Sequence, residues 1–388
     1  MRKLALLTPL LVILVVMLCV ASLTVNARAE NWIWTKVASN TYLRFVDMVS
    51  SNDGWAVGSE GAIIRWDGTS WNNVTSPTSY QLFSVDMVSS NEGYAIAFGS
   101  VIPINESVIR WDGTSWKNVT TPQSYLRSVD MAGSTDGWAV GYGGLIIRWD
   151  GTKWTRIESP TDSPLESVDI ISATDAWAVG SNRAHSGILH WNGTNWNTVE
   201  SPKIVGTRTL WSVDMVSSND GWAVGDSGII IRWDGTSWNN VTSPAMKHLF
   251  SVNMVNSTDG WAVGSDGCII HWDGASWSNA TSPTGAWLSD VDMVSSTDGW
   301  IVGADGIYRC QEVAGFPTAC LIVTIAIVIV VVVFVWSFRR NRQAHTRTGR
   351  AVPTHQVSRS KGMWETLPLV LHYLWCYLPV LELRNRYA

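Results

Sequence analysis

One block of text, VDMVSSNDGWAVGSEGAIIRWDGTSWNNVTSP over 46–77, returns along the chain and limits what that chain can fold into. Copies begin at Val46, Val85, Val129, Val168, Val213, Val252 and Val291. The aromatic after the first turn falls at Trp55, Tyr94, Trp138, Trp177, Trp222, Trp261 and Trp300, at gaps of 39, 44, 39, 45, 39 and 39 residues. A period of about 40 residues with strands and turns inside each unit predicts a β-propeller. Most of the 25 Trp of the 388 residues recur in phase with the repeat, which marks them as packing between blades.

Each unit parses into four strands. LFSVDMVSS alternates and is β-branched, NDG turns the chain, GWAVG follows, AIIRW comes after a Gly-bearing loop, and DGTS leads into WNNVT. These are strands A to D. The seventh unit, from Leu288 to Cys310, lacks the WDGTSW segment, whereas NWIWTKVAS at 31–39 matches a strand D with no unit of its own. The chain's beginning is therefore expected to supply strand D of the last blade and close a seven-bladed ring, removing its open edge. The fold class expected is all-β, a propeller over 30–310 closed by the N-terminal strand, with a C-terminal transmembrane helix.

The flanks have another character. Residues 1–29 carry Arg2 and Lys3, an apolar run from Leu4 to Val20 and the triplet Ala27, Arg28, Ala29, which reads as a secretory signal, with an uncleaved anchor as the alternative. After a short linker at 311–318, residues 319–338 are uncharged and long enough to cross about 30 Å of hydrocarbon. The tail at 339–388 opens with Arg339, Arg340, Arg342, Arg347 and Arg350, so the positive-inside rule puts it in the cytoplasm and the propeller outside. Its apolar stretch 367–381 contains Pro368 and Pro379 and reads as interfacial. The expectation is a single-pass cell-membrane protein.

The net charge of −5 hides a division, because residues 30–318 hold 15 basic and 30 acidic residues. An acidic body excludes nucleic acid as the expected partner. Of five cysteines only Cys268 and Cys310 could face an oxidising space, and they sit at different points of adjacent repeats, so no disulfide framework is read.

At DGWAVGSEGAIIRWDGTSW the chain resembles the Asp-box repeats of the bacterial-neuraminidase type, and particularly the propellers of photosystem II assembly and stability factors. The resemblance spans roughly 32–310. It implies the propeller fold, and among its functions hydrolase, assembly factor and lectin-like module. The turn from Asp67 to Trp71 is shorter than that family's.

Residues in phase with the repeat are read as blade structure. Arg65, Arg110, Arg148 and Arg232 share one strand C position with His190, His271 and Arg309, unlike the converging arginines of a sialidase. Asp47, Asp86, Asp130, Asp169, Asp214 and Asp292 fall one per blade on strand A, with Asn253 in the sixth, and are expected to bond turn amides. A ring of acids holding a cation is the alternative. Asp67, Asp112, Asp150, Asp234 and Asp273 fit locally stabilised turns, with Asn192 substituting. The seven histidines show no metal spacing, and no cofactor or metal is expected. Asn73, Asn105, Asn118, Asn192, Asn240, Asn256 and Asn279 head N-x-S/T sequons, four of them on strand D.

A unique site is expected where copies differ. The distance from the strand B aromatic to the strand C Trp is 11 residues in blades 1, 3, 5 and 6, but 17 in blade 2 and 14 in blade 4; the linker after blade 4 is longer by three. All three insertions fall on one face. Phe98, Val101, Ile102, Pro103 and Ile104 make an apolar loop, and Asn182, Arg183, His185, Lys203 and Arg208 add polar and basic groups beside it. Together they are the expected contact surface for an extracytoplasmic protein or glycan. The function expected is binding without catalysis, with a cell-surface glycoside hydrolase or an assembly factor for a membrane complex as alternatives.

Overall fold

The computed structural model describes residues 32–38, 42–98, 107–122, 125–181, 187–202 and 208–312. They form seven four-stranded antiparallel sheets, one per repeat. In blade 1 strands A to D are Leu43–Ser50, Asp53–Gly58, Ile63–Trp66 and Trp71–Asn73. Strand A surrounds the axis and strand D is the outer edge, three or four residues long in blades 1 to 6, so that little backbone is left open there to pair with another chain. Strand B is buried along GWAVG because blades cover it on both faces.

The expected closure is present. Trp32–Ala38 pairs with Ile307–Glu312, which pairs with Asp298–Gly303 and then Leu288–Ser295. Trp34 sits opposite Cys310 as Trp71 sits opposite Trp66 in blade 1, so the first described strand is strand D of the last blade.

Indole packing explains the tryptophan count. The strand B aromatic of one blade meets the strand C and D tryptophans of the next: Trp55 lies 4.8 Å from Trp111 and 5.4 Å, edge to face, from Trp116. Trp300 meets Trp66 at 4.8 Å and Trp71 at 5.1 Å, carrying the motif through the seam. Edge-to-face geometry sets the positive rim of one ring on the negative face of another. Blade 7 has Cys310 where the others carry the strand C Trp, and Trp32 replaces the lost indole by packing 4.2 Å from Trp261. Cys268 and Cys310 are both buried and free.

The strand A aspartates differ from expectation. They bond not turn amides but the next blade's strand A: the Met87 N–H donates to Asp47 Oδ2 at 2.6 Å, Ile170 to Asp130 at 2.5 Å and Met48 to Asp292 at 2.6 Å. Asn253 Oδ1 does the same for Met293 at 3.0 Å, which is why an amide can stand in the ring. The repeated strand C arginines do support the blade, as with Arg65 on Asp53 at 2.8 Å and over the Trp55 face at 5.0 Å. Asp67 Oδ1 accepts from Thr69 N–H and Ser70 N–H, and Asn192 Oδ1 repeats this for Thr194 and Asn195.

Among the described residues no helix is long and apolar enough to cross a membrane. The signal at 1–29, the span at 319–338 and the tail at 339–388 lie outside the described residues.

Candidate functional site at the channel mouth

Every strand A carries a buried leucine as its first or, in blade 2, its second residue, and the residue after that leucine is where the register to strand B shifts. A bulge of this kind re-aims one side chain. The seven side chains so placed are Arg44, Phe83, Arg127, Glu166, Trp211, Phe250 and Ser289, and all of them line a funnel of about 490 Å³ at one end of the channel. Two residues further on, every blade has valine (Val46 in the first) and then the aspartate or asparagine of the inter-blade ring. Copies that agree so closely inside disagree at the mouth.

The funnel has two sides. On one, the Arg127 guanidinium stacks over Phe83 at 4.5 Å and Tyr142 at 4.9 Å, with its Nε 2.9 Å from Glu166 Oε2 as an ion pair rather than an aligned hydrogen bond. Burial raises the Glu166 carboxyl above its usual range, and Arg127 only partly offsets this. Arg44 lies over Phe83 at 4.6 Å and Tyr42 at 4.9 Å, and with the Gln81 amide oxygen turned toward it donates from Nη2 at 2.9 Å. Burial lowers the Arg44 pKa, and Arg127 lowers it further against the opposing pull of Tyr42.

The other side is aromatic. Trp211 lies 6.2 Å from Phe250, Phe250 lies 5.9 Å from Trp287, and Trp287 is 54% exposed. Asp226 fixes this wall: its carboxylate accepts from Trp211 Nε1 and the Thr209 N–H at 2.9 Å each, and His248 Nδ1 lies 2.9 Å away. Burial alone would raise its pKa, but the Thr209, Trp211 and His248 contacts outweigh burial and hold it below the usual range.

Of the residues singled out by loop length, Phe98 joins this site, 6.1 Å from Tyr125 and 5.8 Å from Tyr142, with Arg127 over its ring at 5.4 Å. Arg208 bonds Ser227 Oγ. Ser181 and Thr209 form a bridge, with hydroxyls 3.2 Å apart, so the bases of the two blade 4 insertions adjoin. Val101, Ile102, Pro103, Ile104, Asn182, Arg183, His185 and Lys203 lie outside the described residues, as does Asn105. Asn73, Asn118, Asn240 and Asn279 are exposed on strand D, Asn192 is exposed in a turn, and Asn256 is exposed at the end of strand A of blade 6. The mouth ring was not among the expected site residues. Its signal in the sequence was the variable residue after each strand A leucine.

Among the described residues no group of His, Cys, Asp or Glu could hold a metal ion. The fold and this mouth define a class, the seven-bladed propellers with a funnel of non-equivalent side chains at one end of the axis. No protein-family profile matches the chain, and no curated protein does. Solved structures do match. YCF48 bound to D1 peptide superimposes with a TM-score of 0.59 at 18% identity, over 73% of this chain and 95% of that one. YCF48 from Cyanidioschyzon merolae gives 0.58 at 17%, over 72% and 98%, and the WD40 propeller domain of Doa1 gives 0.58 at 13%, over 71% and 94%. Likeness at these identities establishes the seven-bladed fold.

Proposed function

We propose that the chain is a membrane-tethered, extracytoplasmic binding module that receives a segment of a partner protein across the channel mouth and performs no chemistry on it. The observation that carries the reading is the mouth ring: repeats that keep the valine two residues away hold five different residue types at the seven mouth positions. Side chains that the blade does not need, gathered on one concave surface, suit recognition. YCF48, a neighbour in fold, was solved bound to D1 peptide, which supports a protein segment as the ligand. The last described strand ends at Glu312, opposite Trp32, at the end of the blade away from the mouth.

A photo-crosslinking residue at Ser289, in the full chain in its native membranes, is expected to capture a protein partner that the same residue at exposed Asn52 does not. Equal capture from both positions would remove the mouth from the argument. Capture of one abundant membrane complex alone would identify an assembly factor. Turnover of fluorogenic glycosides that is lost in Glu166→Gln would replace binding by hydrolysis.

A further inference from the structure

Charge at the mouth is answered unevenly. The strand C arginines have acidic partners, as Arg148 has Asp136 at 2.8 Å and Arg232 has Asp220 at 2.8 Å, and Arg127 has Glu166. Arg44 has none among the described residues: its contacts are the Tyr42 and Phe83 rings and the Gln81 amide oxygen. A partly desolvated guanidinium that meets only neutral groups gives up hydration without the Coulombic return of an ion pair. Burial and the like charge of Arg127 both act against it. An arriving carboxylate would supply what the fold withholds, through two parallel N–H···O bonds.

The space beside Arg44 says what else such a ligand carries. Ser289 is the smallest side chain of the mouth ring, and its hydroxyl lies 3.4 Å from Tyr42 Oη, so the gap above it joins Arg44 to the aromatic wall. Trp287, two residues before Ser289, and Phe250 face that gap as half-open apolar surface. Deeper in the channel stand Asp290, Asp292 and Asp47, which offer no positive partner to a negative group past the rim.

We propose that the mouth takes an acidic protein segment, with a side-chain carboxylate paired to Arg44 and a neighbouring aromatic or large apolar side chain seated on Phe250 and Trp287. This rests on the mouth being the binding surface, and the test separates the two. A random dodecapeptide phage library is panned on the detergent-purified full chain, and selected peptides are resynthesised with a fluorescent label. Selected sequences are expected to carry Asp or Glu within one or two residues of Phe, Trp, Tyr or Leu. Arg44→Gln should weaken them at least tenfold, Arg44→Lys should retain part of the affinity, and exchange of the peptide's Glu for Gln should cost nothing further in Arg44→Gln. Unchanged thermal unfolding of each variant shows that the ring stays closed. Peptides that lose affinity with Phe250→Ala but not with Arg44→Gln would overturn the carboxylate contact and leave the mouth reading standing. Neutral or basic selected peptides would do the same. Peptides indifferent to both variants, or no enrichment at all, would overturn both.

Discussion

Trp34→Ala is expected to destabilise the propeller by about 3–5 kcal/mol, the usual cost of removing a fully packed large aromatic. Trp34 is 3% exposed and meets Trp261 edge to face at 5.3 Å. It shares its cluster with Val263, Leu288, Val291 and Cys310, so its loss opens a cavity between blades 6 and 7. The position matters beyond its area, because this strand is the only part of the last blade that comes from the other end of the described chain. Loosening it exposes the edge of Ile307–Glu312 and relaxes the ring's closure. Ile33→Ala, at a side chain 50% exposed on the same strand, is the control and should change stability by less than about 0.5 kcal/mol. Urea unfolding of the full chain in detergent, followed by tryptophan fluorescence, measures both. A cost below about 1 kcal/mol for Trp34→Ala would mean that closure does not depend on this strand.

Stability is expected to fall by about 3 kcal/mol or more between pH 5 and pH 8, the reverse of what acidic proteins with paired carboxylates show. The cause is the strand A ring. Burial, with repulsion from neighbouring carboxylates, holds Asp47, Asp86 and Asp169 well above the usual range; burial, then Asp292, does so for Asp290. Burial likewise raises Asp130 and Asp292 to about 6 and Asp214 to about 7. Apart from Asp290, which is buried, these carboxylates are half-buried, because they face the open axis, yet protein surrounds each on every other side. Axial water therefore screens part of the repulsion. For an acid whose folded pKa lies above its unfolded value, the stabilisation is full below the unfolded pKa near 3.8 and is lost as pH rises through 6 to 7.

The turn aspartates run the other way. Side-chain and amide hydrogen bonds hold Asp150 and Asp234 at about 2, led by the Thr152 and Thr236 hydroxyls, so their contribution is lost only in acid and is constant over this window. Urea unfolding at pH 5 and pH 8 with an unchanged m-value tests the slope. Asp214→Asn should flatten it and raise stability at pH 8, because Asn253 already makes the same inter-blade bond with an amide. A level or rising profile would overturn the account.

Much of the architecture could be read from residues alone, and particular positions show why. Trp55, Asp67 and Arg65 recur at fixed spacing because each does the same job in each wedge, and a job repeated seven times leaves a period in the text. Even closure was legible, since a unit short of its last strand and a leading strand without a unit imply each other. The aspartate ring was visible as a pattern but misassigned, because its partners are the amides of Met48 and Met87 and their equivalents, which belong to other blades.

Loop length pointed to the face on which the mouth lies and to Phe98, but not to Arg44, Phe250 or Trp287. Variation after each strand A leucine sets residue 44 apart but does not turn it to the axis, because period-two alternation assigns sides only in a regular strand, and the register slips between Leu43 and Phe45. The slip recurs in every blade, and only when the seven strands are set around one axis do their re-aimed residues become neighbours. Sequence by itself determined the repeating unit, the number of copies and the strand that joins the ends, because local spacing and burial pattern dictate them. The tertiary structure alone decided which residues meet at the mouth, because Arg44 and Phe250 are brought together by a rotation about the channel axis that no separation along the chain encodes.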